Sequence, residues 1–259
     1  MLRMPLFRYL PALLLSGLAA CSSDPANRPA APAGTLATPD TAAVRQAAQQ
    51  YRVYYNLPVD LDSTDFYYQP ISVVPLEESR SSKVSSSSYN GDYDSDGKGS
   101  IRGTCYNLLF LHKATPEERT LLPHSRFVIT EIDDAKKPDV RWPYLFYTIL
   151  KADTNADGHQ DQDDASALFM SDRSGQQLRQ LTPDGTHLES RQLLPKTFLL
   201  LVEVRPDSNR DGKFSSADGS YWLRFDLRDL RVPALRQPTA ALAETLHQQM
   251  LDRQSQQLQ

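Results

Sequence analysis

The sequence predicts a mainly β fold of antiparallel, blade-like meander repeats, a partial propeller or a twisted sheet packed on itself, with a short N-terminal helix and a C-terminal helix. Three observations carry this. Between about residues 101 and 236, short aromatic and β-branched runs are bounded by turn residues, as in Tyr144–Leu150 (YLFYTIL) and Thr197–Val204 (TFLLLVEV). Leu223, Phe225 and Leu227 alternate with Arg224, Asp226 and Arg228, the two-residue period of a half-buried strand. An acidic stretch begins at Asp92, Asp153 and Asp207, and each is followed at nearly the same offset by an apolar strand: Tyr106–Leu111, Ser166–Met170 and Ser220–Phe225. The first two of these strands run on through a polar turn into Arg119–Leu122 and Leu178–Thr182. The unit implied is strand, acidic loop, strand, tight turn, strand and return strand, a four-stranded meander.

Taken in order, the chain opens with Arg3 and Arg8 ahead of a short apolar run, Leu10–Leu18, too short to span a bilayer comfortably. Residues 1–20 are expected to be a signal peptide. Leu18-Ala19-Ala20-Cys21 resembles a bacterial lipobox, which implies acylation of Cys21 and membrane attachment through it. Ser22 after the cysteine resembles the class sorted to the outer membrane, so the localisation expected is the cell envelope, on its periplasmic or surface side. Multiple acyl chains anchor stably where one does so marginally. Residues 21–40, rich in Pro, Ala and Ser, read as a tether, and residues 41–259 as a single domain.

Loss of residues 1–20 leaves 26 basic against 32 acidic side chains, a balance that argues against nucleic acid as a partner. With Cys21 lipidated, Cys105 has no partner for an intramolecular disulfide and reads as a buried, inert thiol.

Val44, Ala47, Ala48 and Tyr51 lie at helical spacing behind Asp40, a candidate N-cap. The aromatic residues Tyr51, Tyr54, Tyr55, Phe66, Tyr67 and Tyr68 fit strand and core packing, with a ligand-stacking surface as the alternative. The serine-rich stretch 79–100 is expected to be mobile. After Pro238, Leu242, Leu246 and Met250 recur every four residues, which predicts a helix over about 239–256. That helix is expected to dock on the β body, and the terminal helices to cover exposed sheet edges.

The candidate site residues lie in the acidic stretches. Asp153–Asp164 (DTNADGHQDQDD) places oxygen-bearing side chains at its first, third, fifth, ninth and twelfth positions: Asp153, Asn155, Asp157, Asp161 and Asp164. Gly158 is sixth, and His159 at the seventh would contribute its backbone carbonyl. A hard cation needs six to eight oxygens in a loop short enough to wrap it, which calls for this spacing and a glycine at the bend. Asp207–Asp218 (DSNRDGKFSSAD) repeats the register with Asp207, Asn209, Asp211, Gly212, Lys213 (backbone carbonyl), Ser215 and Asp218. A weaker third match has Asp92, Asp94 and Asp96 but Gly103 at the twelfth place. The ion expected is Ca2+. Pro206 keeps Arg205 extended, so these loops join strands, unlike the helix–loop–helix EF-hand.

Two resemblances accompany these motifs. Leu168–Gly175 (LFMSDRSG) followed by Leu178–Gly185 (LRQLTPDG) resembles the blade signature of TolB-type propellers, and the likeness covers about one blade well. The acidic loops are similar to dockerin-type calcium loops, which also carry Asp at the twelfth place. Loop 153–164 departs from that pattern with Gln160 where an apolar residue is usual, whereas the second loop has Phe214.

No HExxH, paired-cysteine, Gly-x-Ser-x-Gly or phosphate-loop motif is present, and His112, His124, His159, His187 and His247 are scattered. The expectation is a calcium-binding, lipid-anchored structural or binding module with a protein or glycan ligand, not an enzyme. The alternative is a glycan-directed envelope hydrolase using carboxylates on the blade loops.

Overall fold

A computed structural model describes residues 41–76, 101–134 and 139–257. Among these, three antiparallel sheets follow one another along the chain. The first contains β1 (Tyr51–Tyr55), β2 (Val59–Asp60), β3 (Phe66–Pro75), β4 (Thr104–His112) and β5 (Glu118–Thr120) in the order β1-β3-β4-β5, with β2 paired to β3. The second runs β6 (Val128–Asp133), β7 (Tyr144–Leu150), β8 (Ser166–Asp172), β9 (Arg179–Gln180). The third runs β10 (Thr186–Leu193), β11 (Leu199–Pro206), β12 (Tyr221–Asp226), β13 (Leu235–Gln237). Helices α1 (Thr41–Gln50) and α2 (Ala240–Gln257) bracket the sheets. No barrel closes. The mainly β class, the meander repeats and both helices are as the sequence predicts. The tether, Cys21, Asp40, the serine-rich stretch and Asp92, Asp94 and Asp96 lie outside the described residues.

The meander differs from expectation in phase. The strand after the tight turn, β9, pairs within its own sheet, but the expected return strand does not: Thr186–Leu193 pairs with β11 and opens the third sheet. Each four-stranded sheet therefore begins with the strand taken as the return strand of the preceding repeat. The acidic loops join the second and third strands, β7 to β8 and β11 to β12, which are hydrogen-bonded neighbours.

Sheet faces explain the stacking. In the second sheet, Leu145, Tyr147, Ile149 and Phe169 join Leu108, Phe110 and Leu122 of the first sheet in one core. Phe146, Leu168 and Met170 point the other way, into a core with Leu200, Val202, Val204 and Phe225 of the third. The middle sheet is thus covered on both faces, and from Ser166 to Ser171 every residue of β8 is buried. Such a strand has no solvent face, so apolar residues fill both parities instead of alternating. Cys105 belongs to the first of these cores, and burial pushes its thiol up to about 12, the inert state expected.

Most polar groups that enter these interfaces are matched, with the Arg173 Nε and Trp142 Nε1 groups as exceptions. The buried Tyr147 hydroxyl lies 2.8 Å from Ser171 Oγ. Arg173, 7 % exposed, donates to the carbonyls of Asp134 and Trp142 and lies over the Trp142 ring. Tyr68 Oη of the first sheet donates to Asp134 Oδ2, and Arg191 of the third reaches Glu131 of the second at 2.7 Å. Gly175, at φ +76°, lets the β8–β9 turn press on the Phe110 ring, where a Cβ would collide with it.

The outward faces of the two end sheets differ. On the first sheet, Tyr51, Val53 and Tyr55 stand opposite Pro75, Val73 and Ile71, and all share the face directed away from the core. On the third, Glu203, Arg205, Arg224 and Asp226 share the outward face with Trp222 and Leu201, a mixed and charged surface.

The helices depart from expectation. No residue of α2 is buried, and Leu242, Leu246, Met250 and Leu251 are each at least 42 % exposed. Among the described residues, α2 neither docks on the β body nor covers a sheet edge. Its apolar stripe is only one residue wide for most of its length, too narrow to compete with the flat sheet-on-sheet contacts. The aromatic cluster also divides: Tyr68 is core, whereas Tyr51 and Tyr55 are exposed.

Truncating the doubly covered strand is the sharpest test of the stacking. Leu168→Ala should lower the unfolding free energy by about 3 kcal/mol, and Gly175→Ala by about 2 kcal/mol through its left-handed φ and the Phe110 collision. Both should appear as a lower urea midpoint with an unchanged slope.

Candidate metal centres

Both loops fold by the same local scheme, and it follows from the spacing of short oxygen-bearing side chains. In the first, Asp153 accepts from the N–H groups of Asp157 (3.2 Å) and Gly158 (2.7 Å), and Asn155 Oδ1 accepts from Asp157 (3.0 Å). Asp157 Oδ1 accepts from His159 (2.8 Å). In the second, Asp207 accepts from Asp211 and Gly212, both at 3.1 Å. Asn209 Oδ1 accepts from Asp211 (3.0 Å), and Asp211 Oδ1 accepts from Lys213 (2.8 Å). The amide of the third residue also donates to the fifth carboxylate in each, at 3.1 and 2.9 Å. Two stretches 54 residues apart thus adopt one bond pattern, residue for residue.

The twelfth residue closes each loop. Asp164, 1 % exposed, accepts from the Thr154 amide (2.5 Å), the Asn155 amide (3.3 Å) and the Asp161 amide (2.9 Å), and from Thr154 Oγ1. Burial raises its carboxyl, but these donors outweigh that and hold it below the ordinary carboxylate range. Asp218 accepts from the Ser215 amide (2.9 Å), the Ser208 amide (3.1 Å) and the Ser215 hydroxyl, and the Ser215 amide leads in holding its carboxyl low. Ser215 doubles as the N-cap of a one-turn 3-10 helix, Ser216–Asp218, in a capping box with Asp218.

Left-handed backbone marks the bend. Gly158 (φ +90°) and Gly212 (φ +76°) hold the sixth place, and the fourth place is left-handed as well, at Ala156 and Arg210. A Cβ on Gly158 would meet nothing within 4 Å, whereas one on Gly212 would stand 2.8 Å from the Thr154 carbonyl oxygen. Loop 207–218 therefore rests directly on loop 153–164.

A second bridge reinforces this contact. His187 Nδ1 accepts from the Ser166 amide at the exit of the first loop, and its ring lies 5.9 Å from that of Phe214 in the second. Arg205 donates to the Phe214 carbonyl and pairs with Glu189 at 3.2 Å. Burial lowers the basicity of His187, and acceptance at Nδ1 places its proton on Nε2. Sequence reasoning grouped His187 with the scattered histidines, since no spacing ties it to residues 21 or more positions away. Gln160, the departure from the dockerin-like pattern, donates to the Leu150 carbonyl at 2.9 Å, so a polar side chain is satisfied at that place.

All expected ligands of these two loops lie within their own loop, and the donor set is entirely oxygen. Among the described residues no group of three or more His, Cys, Asp or Glu side chains converges at metal-holding range. The loop carboxylates are directed to backbone N–H groups, with Asp153 engaging both its oxygens. In the third stretch, Gly103 holds the twelfth place at φ +77°, pressed on the Val73 backbone, and brings no carboxylate to close a loop. No family model matches this chain, and no curated protein or solved structure resembles it significantly.

Two results are expected of these loops without any ligand. Gly212→Ala should destabilise more than Gly158→Ala, by about 1–2 kcal/mol in urea titrations, because only the former adds a collision to the shared φ strain. Asp164 and Asp218 have depressed folded-state pKa values, so their contribution is complete above the unfolded value of about 3.9 and is lost as pH falls through the lower folded values. The urea midpoint should begin to slip as pH falls below about 6.5, where His187 protonates less readily folded than unfolded, and drop further below about 4, the second step less steep in Asp164→Asn.

Proposed function

We infer that this chain is a calcium-binding structural or binding module of the bacterial cell envelope, held to a membrane through lipidated Cys21. The observation that carries the reading is the identical bond scheme of the two loops at equivalent places in consecutive sheets. Each brings carboxylate or amide oxygens to its first, third, fifth and twelfth positions, with Asp161 or Ser215 at the ninth. The carbonyls of His159 and Lys213 complete an oxygen set suited to a hard cation. Calcium would neutralise Asp153, Asp157, Asp161 and Asp164 in one loop and Asp207, Asp211 and Asp218 in the other. Because each loop is the connection between two paired strands, and Gly212 rests on Thr154, such neutralisation would stiffen one rim of the second and third sheets together.

The carboxylates would exchange some N–H contacts for metal contacts, a reorganisation that weakens binding. The affinity expected is that of extracellular modules, on the order of 0.1–1 mM. At a calcium concentration twice the dissociation constant, each site adds roughly 0.7 kcal/mol to folding stability by mass action. Protein or glycan is the ligand class proposed for the module, and no nucleic acid. No catalytic role is assigned, since the dense acidic clusters are engaged by the loop scheme itself.

Thermal melts in millimolar calcium and in excess chelator are the test. A higher midpoint with calcium is expected, reduced in Asp153→Asn and again in Asp153→Asn/Asp207→Asn. Identical midpoints with and without calcium would overturn the assignment.

A further inference from the structure

We propose that the outward face of the first sheet is a self-association surface, covered in solution by the same face of a second copy of this chain. Among the described residues, each of the other apolar sheet faces is covered by a sheet. Here the described residues leave one open, with Val53 58 % and Tyr55 60 % exposed, and with Ile71, Val73 and Leu109 half-buried beside them. A strand register that puts Tyr51, Val53 and Tyr55 opposite Pro75, Val73 and Ile71, and Leu109 opposite Gln69 and Thr120, makes the surface continuous across four strands. Glu118, opposite Leu111, and Asp60, opposite Tyr67 and paired with Lys113, are the charged residues registered on this face, both at one end.

The rest of the chain is poorly equipped to cover it. Residues 77–100 hold Val84, Tyr89 and Tyr93 as their large apolar residues among many serines and acids, and residues 21–40 hold Leu36. Residues 1–20 are apolar enough, but they are the segment read as a removed signal peptide. A strongly charged partner finds little to pair with on a face whose two carboxylates sit at one end, Asp60 already paired with Lys113 at 2.7 Å. A second copy matches the character of the face by definition, and a two-fold axis lets one patch serve both partners. An axis crossing the strands sets the two Glu118 carboxylates at opposite ends, away from each other.

The size is adequate. Strands of five, ten, nine and three residues, at about 3.4 by 4.8 Å per residue, present roughly 450 Å² in projection. Side chains standing off the sheet, together with exposed Leu57 and Leu76 at its margins, raise the accessible area toward the ~800 Å² per partner of a stable interface. The outward face of the third sheet, with Glu203, Arg205, Arg224 and Asp226, would strand charges in such a contact and is not the surface used.

Sedimentation equilibrium of the purified chain tests this, with circular dichroism to verify that strand content is retained. The wild-type chain is expected at twice the chain mass, Val53→Glu and Ile71→Glu each weakening association by about tenfold or more. Arg224→Glu, on the opposite end sheet, should leave it unchanged. A wild-type chain that stays monomeric up to about 100 µM would overturn the proposal, as would a dimer sensitive to Arg224→Glu but indifferent to both substitutions on the first sheet. Chelation should not alter the wild-type mass, because the surface lies on a different sheet from loops 153–164 and 207–218, so this test is independent of calcium binding at those loops.

Discussion

Burial of the second sheet on both faces is the constraint on which the rest depends. Each fully buried aliphatic or aromatic side chain contributes about 1.5–3 kcal/mol relative to its exposed state, and this sheet supplies them to two cores at once. Leu145, Tyr147 and Ile149 face one neighbour while Phe146 and Leu168 face the other. Loss of that double role would leave two sheets of four or five strands with no common partner. The polar contacts between sheets, Tyr68 with Asp134 and Arg191 with Glu131, orient a stack that apolar burial drives.

The same stacking sets the acidic loops side by side. Each is the connection between the second and third strands of its sheet, so sheets packed in register carry these connections to the same rim. Contact between Gly212 and Thr154 is the consequence, and His187 fastens it by accepting from the Ser166 amide with one nitrogen and packing on Phe214 with its ring. The sixth-place glycines then carry unequal burdens. Gly158 answers only to its own backbone, and Gly212 answers to its neighbour as well.

What the sequence made legible was local. A two-residue period at Leu223, Phe225 and Leu227, turn residues around Tyr144–Leu150, and a twelve-residue oxygen register each depend on neighbours within a few positions, and the two strands lie where expected, with the two registers in the loops that join strands. The phase of the repeat was not legible, because whether Thr186–Leu193 pairs backward with the second sheet or forward with β11 depends on hydrogen bonds to residues not yet reached along the chain. His187 escaped notice for the same reason. Helix α2 was foreseen in extent but not in placement. Periodicity at Leu242, Leu246 and Met250 specifies a stripe, and a stripe does not name the surface that receives it.

The end sheets show how far face chemistry can be pushed from sequence alone. Alternation along β3 and β11 predicts that one parity of each is buried, and it is. Outward residues of β11 and β12 include Glu203, Arg205, Arg224 and Asp226 beside Leu201 and Trp222, whereas those of β1 and β3 are Tyr, Val and Ile with Gln69 and Pro75. Equal strand geometry with unequal outward chemistry means that solvent exposure cannot be the common fate of both ends. Large contiguous apolar patches are uncommon on monomers and mark contact surfaces. The charged end terminates the stack, and the apolar end continues the rule that holds inside it: an apolar sheet face in this molecule lies against another one.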